Sequence, residues 1–345
     1  MTSLSSNTNT LADGARADSG LAGMSVPPLY CPSPVRIDER LGAEVDELLI
    51  AWVEEVGIFA GQLDHVRACH YGRYAMLIHP DTDDPDRLLL AAQCLAAWFY
   101  LDDHYCDDEH AGAVPARIGP RLTLALSALD PAHLVGRYAT ELENALRADL
   151  VLVGLRAYID RVARYATPSQ VARVRHESFA TLVSMSAEAA WRIDGHVPPT
   201  WEYLAYRQPQ SFLLCLPLID VIGGYELPVS TYFDPQVRRA TVLAASATVL
   251  ANDLYSMAKE TIPKVDTINL PLVIAREQNC SFQEAMQISV SIHDDVVRAF
   301  EAQKRQLMTD ASPELKRFLA GLHAWIGGSR EWHSSSGRYR VQAAP

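Results

Sequence analysis

The chain predicts an all-α fold, a single helical bundle, and three observations carry that expectation. Apolar residues recur at three- and four-residue spacing in about ten segments. No segment alternates apolar and polar residues between hairpin turns. No internal repeat and no Gly/Ser-rich linker divides the 345 residues, a length that permits one large domain.

The segments follow in order. Residues 1–26 are rich in Ser, Thr, Asn, Gly and Ala and poor in large apolar side chains. Such a composition buries too little surface to offset ordering, so a disordered extension is expected before a domain over 27–340. Residues 27–34 read as an extended, proline-punctuated lead-in, with Leu29 and Tyr30 placed to pack over the domain. The first helix spans 43–58, where Val45, Leu48, Leu49, Trp52 and Val53 share a face. Helices over 62–78, 85–103 and 121–129 follow. Two long ones are expected over 132–165 and 169–193, the second bracketed by Pro168 and Gly195. Residues 200–225 are helical but broken at Pro209, which has no backbone N–H to donate. Asp234-Pro235 is an N-cap followed by proline at the first helical position, and opens a helix that runs through an Ala- and Val-rich stretch to residue 260. Helices over 281–308 and 313–332 close the domain, and 341–345 form a flexible tail.

Bulk composition excludes several functions. A net charge of −12 with no basic stripe argues against nucleic acid as a partner. No apolar run reaches membrane-spanning length, and the N-terminus lacks a basic-then-apolar leader, so stable membrane insertion is not expected. The six cysteines are scattered without paired spacing. They read as reduced thiols of a cytoplasmic protein, not as a disulfide framework.

Two clusters carry chemistry. In Asn252-Asp253-Leu254-Tyr255-Ser256-Met257-Ala258-Lys259-Glu260, the residues Asn252, Ser256 and Glu260 stand four apart and share a helical face, drifting about 40° per step. An amide oxygen, a hydroxyl and a carboxylate are hard donors that suit Mg²⁺. Mg²⁺ commonly bridges protein oxygens to phosphate, and Lys259 is placed to meet the same anion. Upstream, Asp102-Asp103-His104-Tyr105-Cys106-Asp107-Asp108-Glu109 ends a buried helix. Carboxylates so crowded, at the pole of a helix that disfavours anions, call for cations.

Together these clusters resemble the two metal motifs of class I terpene synthases: the Asn/Ser/Glu motif downstream and the aspartate-rich motif upstream. Pro27-Pro28-Leu29-Tyr30-Cys31-Pro32, His79-Pro80-Asp81-Thr82-Asp83-Asp84-Pro85-Asp86 and the acidic run itself look like the bacterial subgroup that makes 2-methylisoborneol or 2-methylenebornane. The resemblance covers nearly the whole chain. It implies a bundle around a central active-site cavity, three Mg²⁺ ions, and ionisation of a prenyl diphosphate followed by cyclisation of the carbocation. The subgroup implies 2-methylgeranyl diphosphate as substrate and 2-methylisoborneol as product. Proton loss to 2-methylenebornane, or a geranyl or farnesyl substrate, are the alternatives.

Residue by residue, the resemblance implies Asp102, Asn252, Ser256 and Glu260 as metal ligands, with Asp103 and Asp107 as further candidates. The last aspartate comes one position later than in the common five-residue form, with Cys106 in its usual place. Arg207, 45 residues before Asn252, fits the family's diphosphate-sensing arginine. Gln210 and Ser211 stand where an Asp-Gly pair is common. Arg338-Tyr339 looks like the family's Arg-Tyr pair, a fork and a hydroxyl for the diphosphate. A dry aromatic wall for the cation is expected from Trp98, Phe99, Phe179, Phe212, Trp325 and Trp332.

Other assignments compete. Asp81-Thr82-Asp83-Asp84 matches the acid motif of proton-initiated cyclases, but lies between prolines and reads as loop and N-cap acids. His104 and His110 flank the acidic run without a compact zinc or iron ligand spacing. A chain-elongating prenyltransferase would carry two aspartate-rich motifs, and a non-catalytic helical binding protein would show no Mg²⁺-dependent diphosphate binding. A homodimer stays open, since helical surfaces that dimerise look like those that do not.

Overall fold

A computed structural model describes residues 25–107, 114–259 and 268–339. The expected extension over 1–26, apart from residues 25 and 26, and the tail over 341–345 lie outside them. Among the described residues there are helices and connecting loops and no strand.

The helices, in order, are α1 (Glu39–Val56), α2 (Leu63–Cys69), α3 (Tyr71–Ile78), α4 (Pro85–Asp102), α5 (Ile118–Leu129), α6 (Arg137–Arg147), α7 (Leu150–Tyr165) and α8 (Pro168–Asp194). The second half holds α9 (Thr200–Arg207), α10 (Leu218–Ile222), α11 (Val229–Tyr232), α12 (Pro235–Lys259), α13 (Leu270–Gln278), α14 (Phe282–Met308) and α15 (Pro313–Ser335). A short 3₁₀ turn at Phe212–Leu214 lines the central cavity; a second at Gly337–Tyr339 and a π-helical turn at Asp103–Asp107 lie beyond its lining.

Local chemistry sets the boundaries. Thr167 with Gln170, and Ser281 with Glu284, form reciprocal capping boxes at the starts of α8 and α14. Gly195 ends α8 in the left-handed conformation. The Asp234 carboxylate accepts from the backbone of Gln236 and Val237 and so starts α12. Asp84 caps α4 through Asp86, Asp83 pairs with Arg36, and Asp81 pairs with Arg317, so the Asp-x-Asp-Asp run is spent on structure.

Two expected helices are each two. The segment 62–78 breaks at His70, whose φ is 53°. The break lets α3 settle on α1: a Cβ on Gly72 would lie 2.2 Å from the Asp46 backbone nitrogen, so only glycine fits. The segment 132–165 breaks before Asp149, whose side chain caps α7 through the Val151 N–H and also accepts from the Tyr105 hydroxyl at 2.6 Å. α11 and α13 were not expected.

α12 is apolar nearly all round and packs against α14, α15 and α13. α4 is buried along most of its length among α1, α3 and α7. Val26, with Leu29, packs on Leu254, Met286 and Val290, so the lead-in lies against α12 and α14. Tyr30 fastens it by donating twice, from its hydroxyl to Glu301 and from its backbone N–H to Asp294.

Candidate active site

A cavity of about 610 Å³, mouth included, opens between α4, α8, α9 and α12. Leu95, Trp98, Phe99 and Asp102 line it from α4, the spacing of one helical face. Thr181 and Met185 face it from α8, and Val249 and Asn252 from α12. Its remaining wall is the break after Arg207, where Gln210, Ser211 and Phe212 turn inward.

Pro209 ends α9 as expected, and the exposed backbone groups find partners. The Thr181 hydroxyl donates to the Pro209 carbonyl at 2.8 Å, and Arg207 donates to the Gln210 carbonyl at 3.1 Å. Arg207 is fixed from three sides. It donates to Asp253 at 2.6 and 3.1 Å and to the Gln210 side-chain oxygen at 2.9 Å. Burial opposes its charge, but Asp253, Tyr203 and Tyr206 outweigh that and hold the guanidinium above its ordinary pKa. Asp253 is itself 2% exposed and also accepts from the Tyr203 hydroxyl at 2.7 Å. A buried carboxylate so paired positions the arginine and is not available to a metal.

Gln210 bridges onward. Its amide nitrogen donates to Glu188 at 2.8 Å, Glu188 takes Arg192 at 2.5 Å, and Arg192 also donates to the Cys106 carbonyl. Arg207 is thus tied through α8 to the acidic segment.

That segment departs from α-helix at Asp103–Asp107. A π-turn bonds i to i+5 and absorbs one extra residue. The backbone thus widens where the acidic run departs from the common five-residue form. The Asp107 side chain lies outside the description. Asp102 faces the cavity opposite Asn252. Asp103 turns away, gripped by both Arg338 nitrogens at 2.8 and 3.1 Å. Burial opposes the Arg338 charge, and Tyr71 and Asp103 outweigh it and keep the group strongly basic. Its guanidinium also lies 4.1 Å over the Phe99 ring.

Asn252 donates to the Tyr339 hydroxyl at 2.7 Å, and its amide nitrogen stands 3.2 Å from Nε2 of His333. Ser256 is half-buried one turn further along α12. Lys259 ends the helix with its side chain outside the description, and Glu260 lies outside the described residues. Among those residues no three His, Cys, Asp or Glu side chains gather on one point. The donors that do converge, Asp102 and Asn252, are hard oxygens on one cavity, and they fit Mg²⁺ and not a soft metal.

Trp98, Phe99 and Phe212 form wall, with Phe99 edge-to-face on Phe212 at 6.2 Å. Trp325 and Trp332, expected in the wall, stand behind it: both are 0% exposed. Trp332 stacks on Tyr74 at 4.2 Å and backs Phe99, and Trp325 backs Phe212 at 6.5 Å. Their one-face spacing on α15 is core packing, because α15 packs on α3 and α12 and supplies none of the cavity lining. Phe179 packs half-buried against the core from α8 and does not line the cavity.

Asp253, Gln210, Glu188, Arg192 and His333 were not assigned roles from sequence. A lone acid among apolar neighbours was a signal for Asp253. Glu188 and Arg192 form an ordinary i, i+4 pair, and nothing in the letters marks them.

Residues 93–299 match the family model described as terpene synthase family 2, C-terminal metal binding. A 2-methylisoborneol synthase of Streptomyces lasalocidi is 39% identical over 315 residues, covering 90% of this chain and 63% of that one. One from Saccharopolyspora erythraea is 35% identical, covering 91% of this chain and 89% of its own. Among solved structures, the 2-methylisoborneol synthase of Streptomyces coelicolor A3(2) in complex with Mg²⁺ and 2-fluoroneryl diphosphate superposes with a TM-score of 0.87. It is 35% identical, with 93% of this chain and 99% of that chain covered.

Proposed function

The chain belongs to the class I terpene synthases, and from that membership we propose that it converts 2-methylgeranyl diphosphate to 2-methylisoborneol with release of diphosphate. The observation that carries this is a cavity with oxygen donors and Arg207 at one end and aromatic rings along its wall, on a chain 35–39% identical to 2-methylisoborneol synthases.

The residues divide the work by chemistry. Asp102, Asn252, Ser256 and Glu260 would hold Mg²⁺, three ions by the family's pattern, with Asp107 a further ligand. Bound Mg²⁺ neutralises the diphosphate and makes it a leaving group. Arg207, Arg338, Tyr339 and Lys259 bind the diphosphate oxygens and orient the carbon–oxygen bond toward the cavity. Arg338 would exchange one of its Asp103 contacts for the substrate and so report occupancy. Trp98, Phe99 and Phe212 face the allylic cation with their rings and, with Leu95, Met185 and Val249, exclude bulk water while the rings close. A single water then adds to the bornyl-type cation and gives up a proton to the released diphosphate, leaving the alcohol.

Purified protein incubated with Mg²⁺ and, separately, 2-methylgeranyl, geranyl and farnesyl diphosphates tests this, with the volatiles identified. 2-Methylisoborneol from the first is expected. Good turnover of farnesyl diphosphate with none of the methylated substrate would end the proposal. No helix among the described residues is long and apolar enough to cross a membrane. Among the described residues no cysteine is in a disulfide.

A further inference from the structure

We propose that His333 is a positioning residue for metal binding, and that its ring decides which end of the Asn252 amide faces the cavity. The inference rests on the reading of Asn252 as a Mg²⁺ ligand. An Asn amide is nearly symmetric in shape, but its oxygen binds a hard cation and its NH₂ group repels one. Shape does not choose between them, so neighbours must.

The choice follows from hydrogen-bond arithmetic. Nδ1 of His333 lies 2.7 Å from the carbonyl of Ser329, one turn back on α15. A carbonyl only accepts, so Nδ1 carries the proton. The neutral ring then has its lone pair on Nε2, and that atom faces the Asn252 nitrogen at 3.2 Å. The second amide hydrogen goes to the Tyr339 hydroxyl at 2.7 Å. With both donors spent on this side, Oδ1 is turned to the other, where Arg207 stands 3.5 Å away and the cavity opens.

Tyr339 alone would not impose this. A hydroxyl donates or accepts by rotating, so it tolerates either amide orientation. The imidazole, with Nδ1 committed, tolerates one. The ring cannot swing away either. It is 1% exposed and packed against Trp332 at 4.9 Å, Tyr339 at 5.0 Å and Tyr255 at 5.8 Å. Partners behind a metal ligand commonly fix its orientation, and their loss typically costs about 10–100-fold in metal affinity.

Two measurements test this. Nitrogen NMR of the ¹⁵N-histidine-labelled protein without metal reads the tautomer, and His333 is expected to show a protonated Nδ1 and an unprotonated Nε2. Calorimetric titration of inorganic diphosphate with Mg²⁺ compares the wild type with His333→Leu and His333→Gln. Loss of the acceptor in His333→Leu is expected to weaken binding about tenfold or more. His333→Gln, whose amide oxygen reaches the same place, is expected to bind near the wild-type level. A proton on Nε2, or diphosphate binding by His333→Leu equal to the wild type, overturns the proposal. A wild type that binds no diphosphate with Mg²⁺ overturns the functional reading instead, and the tautomer still judges the orientation by itself. Should His333→Leu fail to fold, the wild-type tautomer and His333→Gln decide.

Discussion

At the scale of single residues, charge and hydrogen-bond capacity fix what each group can do. Asn252→Ala removes a cavity-facing oxygen on α12 whose orientation is held by the acceptors that its amide nitrogen meets. Turnover is expected to fall by about a hundredfold or more, with thermal unfolding close to the wild type because the position is half-buried and its backbone is helical. Steady-state kinetics beside calorimetry check both halves. His79 allows a prediction about stability alone. Burial, and then the nearby Arg36 charge, lower its pKa from 6.5 to about 3. Between those values the unfolded chain binds the proton and the native chain does not. Native stability is therefore complete above pH 6.5 and is lost as pH falls toward 3, by at most about 1.4 kcal/mol per pH unit from this group. Urea unfolding of wild type and His79→Leu at pH 7 and pH 5 should show a smaller acid loss in the variant; equal losses would refute the assignment.

At the scale of elements, helix starts and the proline break were legible, and breaks made for tertiary contacts were not. Asp234, Thr167 and Ser281 are side chains with a local job, and local jobs can be read from letters. Pro209 was legible for the same reason. His70 and Asp149 break their helices for tertiary reasons: α3 must reach α1, and Asp149 must meet Tyr105. The π-turn is of the second kind. The acidic run looked like a departure from pattern, and the backbone there widens by one turn. What steadies that turn from outside is Arg192, through the Cys106 carbonyl and Glu188. Arg192→Ala is expected to raise the Mg²⁺ concentration needed for half-maximal turnover about tenfold. Asp234→Ala, which removes a cap at the far end of α12, should cost about 1 kcal/mol of stability and leave that concentration unchanged. If both variants shift Mg²⁺ dependence alike, the brace is not specific to the acidic turn.

At the scale of the whole molecule, the two motifs meet because α4 and α12 border one cavity, and spacing along the chain gave no measure of that depth. Motif letters therefore pointed to Asp102 and Asn252, which share one cavity, and to its aromatic wall in part. Trp98 was placed by being one turn from Asp102, and the structure keeps both on the wall. Trp325 and Trp332 share a face of α15, but periodicity cannot tell a face that lines a cavity from one that packs behind it. The layered arrangement separates two kinds of effect. Phe212→Leu alters the surface that meets the cation while replacing one apolar side chain by another, so product composition should shift toward proton-loss or earlier-terminated terpenes with a small change in unfolding temperature. Trp325→Ala empties a fully buried site behind that surface. It should cost about 3–5 kcal/mol of stability, and at temperatures where the variant stays folded it should give a product mixture nearer the wild type than Phe212→Leu gives. Chromatography of the volatiles, with thermal unfolding of the same preparations, compares the two. A product shift greater for Trp325→Ala than for Phe212→Leu would mean that the second layer shapes the cavity as directly as the first.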